Sequence, residues 1–348
     1  MALVLQVFGV IFLLLVVLLI VVVLTIRAKI RGFVRNLEGI AKTLAAGNTP
    51  ARVHLRPMAV PSWENLEAVE AQVEPLSALG FVQGGSYQVD EMEGLALQAW
   101  FNAERGVTAV VYEHPVAGVW TDMVTRYQDG TRATFANTGQ GSGVDHAPGH
   151  VVERFPGIGS AELFERFLAD RPDRPWVTPS PDAFVDAFEK AYADEMDWRN
   201  SRGGATEDEI RRIAQLSGET YDEEVVQATR RMAEARAAVQ LDEAIRERFL
   251  AEATMSAAEW EAVRDRVVVV HDRMTQDTFA EAITQSFDGE YDWDADGLPQ
   301  IDRDDPGKSP RRLFAEINEG FGDGRRCRKL GVVHQPVEAD VYVAPETE

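Results

Sequence analysis

The amino-acid sequence predicts an α+β fold: an N-terminal transmembrane helix, an antiparallel meander sheet flanked by helices, then a mainly α-helical domain. Three observations carry this. Val4 to Ile26 is an apolar run without a single charge. Five segments between Phe81 and Thr138 alternate apolar and polar residues, with turn residues between them. From Ser180 onward, apolar side chains recur at helical spacing instead.

Residues 1–26 form the anchor. The run VLQVFGVIFLLLVVLLIVVVLTI holds one strongly polar side chain, Gln6. At ~1.5 Å per residue it spans about 34 Å, enough for a hydrocarbon core of ~30 Å. It is too long for the ~7–15-residue apolar region of a cleaved signal peptide, and no Lys or Arg precedes it. Arg27, Lys29, Arg31 and Arg35 follow directly. These cations meet the lipid bilayer surface and, by positive-inside bias, place the remaining chain in the cytoplasm, at an inner or plasma membrane. The single cysteine, Cys327, agrees with a reducing compartment.

The chain has 348 residues, 45% hydrophobic and 26% charged, the composition of a globular protein. Without the anchor about 320 residues remain, enough for two cores. With 35 Lys and Arg against 57 Asp and Glu, the net charge is −22. Such a surface repels phosphate, which excludes nucleic acid as a partner.

Residues 27–61 begin as an amphipathic juxtamembrane helix: Ile30, Phe33, Val34, Leu37, Ile40, Ala41 and Leu44 share one face. That face lies in the membrane interface, packs on the chain's own domain, or self-associates with a second copy. A linker with Pro50, Pro57 and Pro61 follows. Residues 62–175 make the α+β domain. Ser62 is placed to cap a helix that Pro75 interrupts and Gly80 ends. The strand segments come next, and Asp129-Gly130 between Tyr127 and Thr131 is the clearest hairpin turn. Ser160 then opens a helix, so that helices cover one sheet face.

Residues 180–287 form the helical domain. Phe184, Phe188 and Tyr192 lie at i, i+4 and i+8. Thr206 with Glu209, Thr220 with Glu223, and Ser256 with Glu259 each fit a capping box. Tyr221 to Ala253 reads as one long helix or two, and Thr275 opens another through Phe287. Residues 288–348 hold an acidic loop, a short helix from Pro310 to Asn318, and GVVHQPVEADVYVAP, which alternates like a strand pair.

The stretch from Gly80 to Trp198 contains VVYEHPVAGVW, the RYQDGT turn and AYADEMDWR. In these it resembles uncharacterised bacterial membrane-anchored proteins. The resemblance covers about a third of the chain and implies membrane anchoring, with no assigned activity.

Five places carry candidate chemistry. Asp292, Asp294 and Asp296 with Gly297 match the opening of an EF-hand calcium loop, the single cofactor the sequence suggests; position 12, however, is Arg303 instead of Glu. His146 and His150 lie four apart beside Asp145, but Pro148 and Gly149 break helical spacing. They read as loop histidines, or as a metal turn if Glu113 and His114 converge on them. Gly139, Gly141 and Gly143 lack the Gly-Lys-Ser/Thr ending of a phosphate loop, and Ser142 lacks the glycines of a nucleophile elbow. Cys327 lies among Arg325, Arg326, Arg328 and Lys329, a run that reads as a solvated charge cluster or, since such cations lower a thiol pKa, as the setting of a reactive cysteine. Trp100, Tyr112, Trp120 and Tyr127 fall in sheet segments, as core or as the wall of a groove.

The resulting expectation is a single-pass membrane protein whose soluble part binds or scaffolds a protein partner at the cytoplasmic face, without catalysis. The alternatives are a hydrolase or metal-assisted enzyme built on His146 and His150, and a calcium-binding adaptor built on the Asp292 loop.

Overall fold

The computed structural model describes residues 49–59, 62–139, 141, 143–253, 255–287, 297–303, 305–322 and 324–346. The apolar run, Arg27, Lys29, Arg31, Arg35, the juxtamembrane helix and Asp292, Asp294 and Asp296 lie outside these residues. Among the described residues no helix is long and apolar enough to cross a membrane.

The chain is α+β. Seven strands form the first sheet in sequence order: β1 Leu55–Pro57, β2 Val82–Val89, β3 Ala96–Asn102, β4 Val107–His114, β5 Gly118–Arg126, β6 Arg132–Ala136 and β7 His150–Arg154. The first six pair antiparallel, β2 to β6 through short turns and β1 to β2 across a connection that holds a helix. At Asp129-Gly130 the Tyr127 N–H donates to the Thr131 carbonyl at 2.9 Å, and Gly130 takes φ 83°, the left-handed value the turn needs. The meander is not antiparallel throughout. The glycine-containing connection after β6 carries the chain back to the start of that strand, so β7 pairs with it in parallel, His150 opposite Arg132.

One sheet face is closed by α1 (Leu66–Ala78) and α2 (Ser160–Asp170). Leu76, Phe81, Trp100, Val111, Met123, Tyr127, Phe135 and Phe167 form its core. Asn65, not Ser62, caps α1 by accepting from the Ala68 N–H at 3.1 Å, and Pro75 stays within the helix near its C-terminal end. The second face is covered too, which one-sided coverage did not anticipate. Helix α3 (Phe184–Ser201) lays Phe184, Phe188 and Tyr192 against Phe101, Val110, Tyr112 and Trp120. Phe184 is buried and Phe188 and Tyr192 are half-buried; full burial of such a side chain contributes ~1.5–3 kcal/mol, so the spaced aromatics are a main part of what holds α3 to the sheet.

Beyond α3 the chain runs through α4 (Glu207–Leu216), α5 (Glu223–Glu252), α6 (Ala257–Val263), α7 (Gln276–Phe287) and α8 (Pro310–Gly320). The boxes Thr206–Glu209 and Ser256–Glu259 are formed; at α5 Asp222 takes the capping role expected of Thr220. This part is not purely helical. Val267–His271 is strand β8, and with β9 (Arg328–Val333) and β10 (Ala339–Val343) it makes a second antiparallel sheet in the order β8–β10–β9. VVVVH is buried at every position, so no alternation marks it as a strand in the sequence. Val267 and Val269 pack against Leu241, Ile245 and Phe249 of α5, whereas Val268 and Val270 pack against α7 and α8.

Gly106, in the turn between β3 and β4, has φ 65°, and a Cβ there would lie 2.2 Å from the Trp176 ring. Gly106→Ala is expected to destabilise the fold by about 1–3 kcal/mol, read as a lower urea midpoint.

Candidate functional site

Alternation along β5 sends Thr121, Met123 and Thr125 toward α1 and α2, and Trp120, Asp122, Val124 and Arg126 toward α3. Helix α3 answers with two stripes. Phe184, Phe188 and Tyr192 touch the sheet, while Ala183, Ala187 and Ala191 are too short to reach it. The gap left beneath the alanines is a cavity of about 340 Å³, walled by Phe101, Val110, Tyr112, Val124, Phe184 and Phe188. Tyr112 is stacked on Trp120 with ring centroids 4.8 Å apart, which fixes one wall.

The alanine stripe ends, one turn further on, in Glu195. This carboxylate is saturated with donors. Its Oε1 accepts from the Ala147 N–H at 3.2 Å and from His146 Nδ1 at 3.0 Å. Its Oε2 accepts from His150 Nδ1 at 2.9 Å and from the Arg132 guanidinium, whose other nitrogen donates to the Ala191 carbonyl. With the protons on Nδ1, the other ring nitrogens accept: His150 Nε2 from Thr134 Oγ1 at 3.0 Å, and His146 Nε2 from Arg154 at 3.3 Å. Burial would raise the Glu195 pKa, but the bonds from both imidazoles and the Arg132 charge more than offset it and hold the carboxyl well below the carboxylate range. Burial, followed by the nearby Arg132 charge, pushes His150 down despite its bond to Glu195.

His146, His150 and Glu195 are the group among the described residues whose donor atoms, all within 4.8 Å of one another, are spaced to share a metal ion. The fit is poor. Both Nδ1 atoms and both carboxylate oxygens are spent on one another, and a divalent cation would have to displace Arg132 and lie beside Arg154. Glu113 and His114 do not converge on the pair. Glu113 accepts from the Glu64 and Asn65 N–H groups at the start of α1, and His114 Nδ1 accepts from Val116 and Ala117.

Asp122 faces the same cavity. Burial pushes its pKa up to about 7, only partly offset by the Arg154 charge and a hydrogen bond with Tyr112, and its Oδ1 has no partner among the described residues. Elsewhere, Cys327 is 3% exposed and burial pushes its thiol up, which overturns the reading of a reactive cysteine activated by its cationic neighbours. Arg303, at the twelfth position of the calcium-type loop, reaches Glu234 at 3.7 Å. Glu195 and Asp122 escaped sequence reading because their partners are distant in the chain; the Ala183, Ala187, Ala191, Glu195 spacing was the available signal.

Glu195→Gln removes the negative charge that holds Arg132 and is expected to cost about 3 kcal/mol, measured by urea denaturation. Stability also depends on pH. His150 and His271, the latter pushed down to about 4 by burial, stay neutral in the folded chain below the ordinary histidine value of 6.5. Below that value the unfolded chain binds protons that the folded chain refuses, so stability is present above pH 6.5 and falls as pH falls toward 4. His150→Gln is expected to make this loss shallower in denaturation midpoints collected across that range.

Compared with protein-family models, curated proteins and solved structures, the chain matches none.

Proposed function

We propose that this chain is a membrane-anchored, non-catalytic binding module at the cytoplasmic face, holding a small apolar ligand between its seven-stranded sheet and α3. The observation that carries the reading is the cavity of about 340 Å³. Its volume falls within the ~300–1,000 Å³ of small-ligand sites, and its mostly apolar walls with a few converging polar groups have the usual make-up of one. The anchor and its cytoplasmic orientation rest on Val4 to Ile26 and the cations that follow. A protein partner at the membrane, and self-association through the juxtamembrane helix, belong to the same reading. Neither a metal at His146 and His150 nor calcium at the Asp292 loop is part of it.

A second reading, a hydrolase, is favoured by one geometry. Thr134 Oγ1, His150 Nε2, His150 Nδ1 and Glu195 Oε2 are connected by hydrogen bonds of 3.0 and 2.9 Å, the order of nucleophile, base and orienting acid. Binding leads because Arg132 shares that Glu195 oxygen. Its charge cancels the one that would stabilise an imidazolium, and His150 is a weakened base.

An uncharged naphthylamine dye is expected to bind and brighten in the cavity. Ala187→Trp, which fills the space beneath α3, is expected to weaken uptake at least about tenfold, the effect of ~1.4 kcal/mol. Unchanged dye binding in that variant would sink the cavity reading. Hydrolysis of p-nitrophenyl decanoate is expected at the background rate. Turnover abolished by Thr134→Val would establish the second reading instead.

A further inference from the structure

Arg126 and Arg132 face each other across β5 and β6 in register. Like charges directly opposite on one sheet face repel and need an anion nearby. Arg132 has one: Glu195 bonds to it within the site described above. Arg126 does not. Its side chain lines the cavity, half-buried, and no carboxylate among the described residues pairs with it. The carbonyl of Arg126 accepts from the Val177 N–H at 2.8 Å, so its strand end is fixed while the guanidinium keeps all five donors for something else.

The remaining cavity groups say what that something is. Val124, Val110, Phe101 and Phe188 give an apolar wall leading away from Arg126. Asp122 stands four residues back along the same strand, ~13 Å at ~3.3 Å per residue. We infer that the cavity takes an apolar carboxylic acid, its carboxylate paired with the fork of Arg126 and its apolar body lying beneath the alanine stripe of α3. This rests on the binding reading above and adds the chemical class of the ligand. A carboxylate matches a single guanidinium because two parallel N–H···O bonds satisfy both oxygens. It also supplies Arg126 with the negative charge that Glu195 gives to Arg132. Asp122 does not oppose such a ligand, being distant and, with its carboxyl pushed up to about 7, close to half neutral at neutral pH.

The test is titration calorimetry of the full chain in nanodiscs, with empty nanodiscs subtracted, against decanoate, decanol and decylammonium. Decanoate is expected to bind about tenfold or more tightly than decanol, the scale of a charge-assisted hydrogen-bond pair. Arg126→Gln is expected to bring the two within about twofold. Arg126→Lys, which keeps the charge but loses the fork, is expected to retain part of the gap and guards against a folding defect. Arg174→Gln, on an exposed arginine that pairs with Asp129, is expected to leave the gap intact. Naphthoate in place of decanoate separates a ring acid from a chain acid. Equal affinity for decanoate and decanol, or tighter binding of decylammonium, overturns the inference and leaves the cavity reading standing. Binding of none of the three overturns both.

Discussion

The carboxylate of Glu195 is the point on which this part of the molecule turns. One side chain on α3 gathers a backbone N–H from the loop before β7, the first residue of β7, a second histidine from that loop and the first residue of β6. Without it, α3 would keep its aromatic contacts and its tie to β1, where Glu189 accepts from the Leu55 N–H at 2.7 Å. It would lose the carboxylate that binds it to β6 and β7, and apolar packing has little directionality. The ionic cluster sets the register of α3 on the sheet, and the position of everything along the helix follows. It also ties β7 to β6, because Arg132 and His150, opposite each other in the parallel register, share the same carboxylate.

Two features of α3 then divide the labour. The aromatic stripe supplies attraction and the alanine stripe withholds contact, so the helix is pressed down along one line and lifted along the next. The polar groups at one end of the space between satisfy one another. Asp122 and Arg126 are the exceptions, and both project from one face of β5.

Much of this was legible in the chain. The i, i+4, i+8 aromatics of α3, two of three capping boxes and the Asp-Gly hairpin are local signals, and local physics decided them. What was not legible depends on distance in sequence. Ser62 lost its capping role to Asn65, whose side chain reaches the Ala68 N–H. VVVVH of β8 has neither alternation nor helical period, because helices bury it from both sides. His146 and His150 were visible as a pair, but their partner lies 45 to 49 positions away on α3. No spacing rule connects a loop to a helix across such a gap. Likewise, the cations around Cys327 point to reactivity only until its burial is known.

The alanines at 183, 187 and 191 recur every four residues, about 6 Å apart along the axis. That makes α3 a graduated ruler laid over the cavity. Replacing one alanine by a bulkier residue shortens the space by about one division and leaves the sheet, the aromatic stripe and the Glu195 cluster in place. On the binding reading proposed above, ligand length is set by a single helix and ligand charge by a single strand, so one can change without disturbing the other.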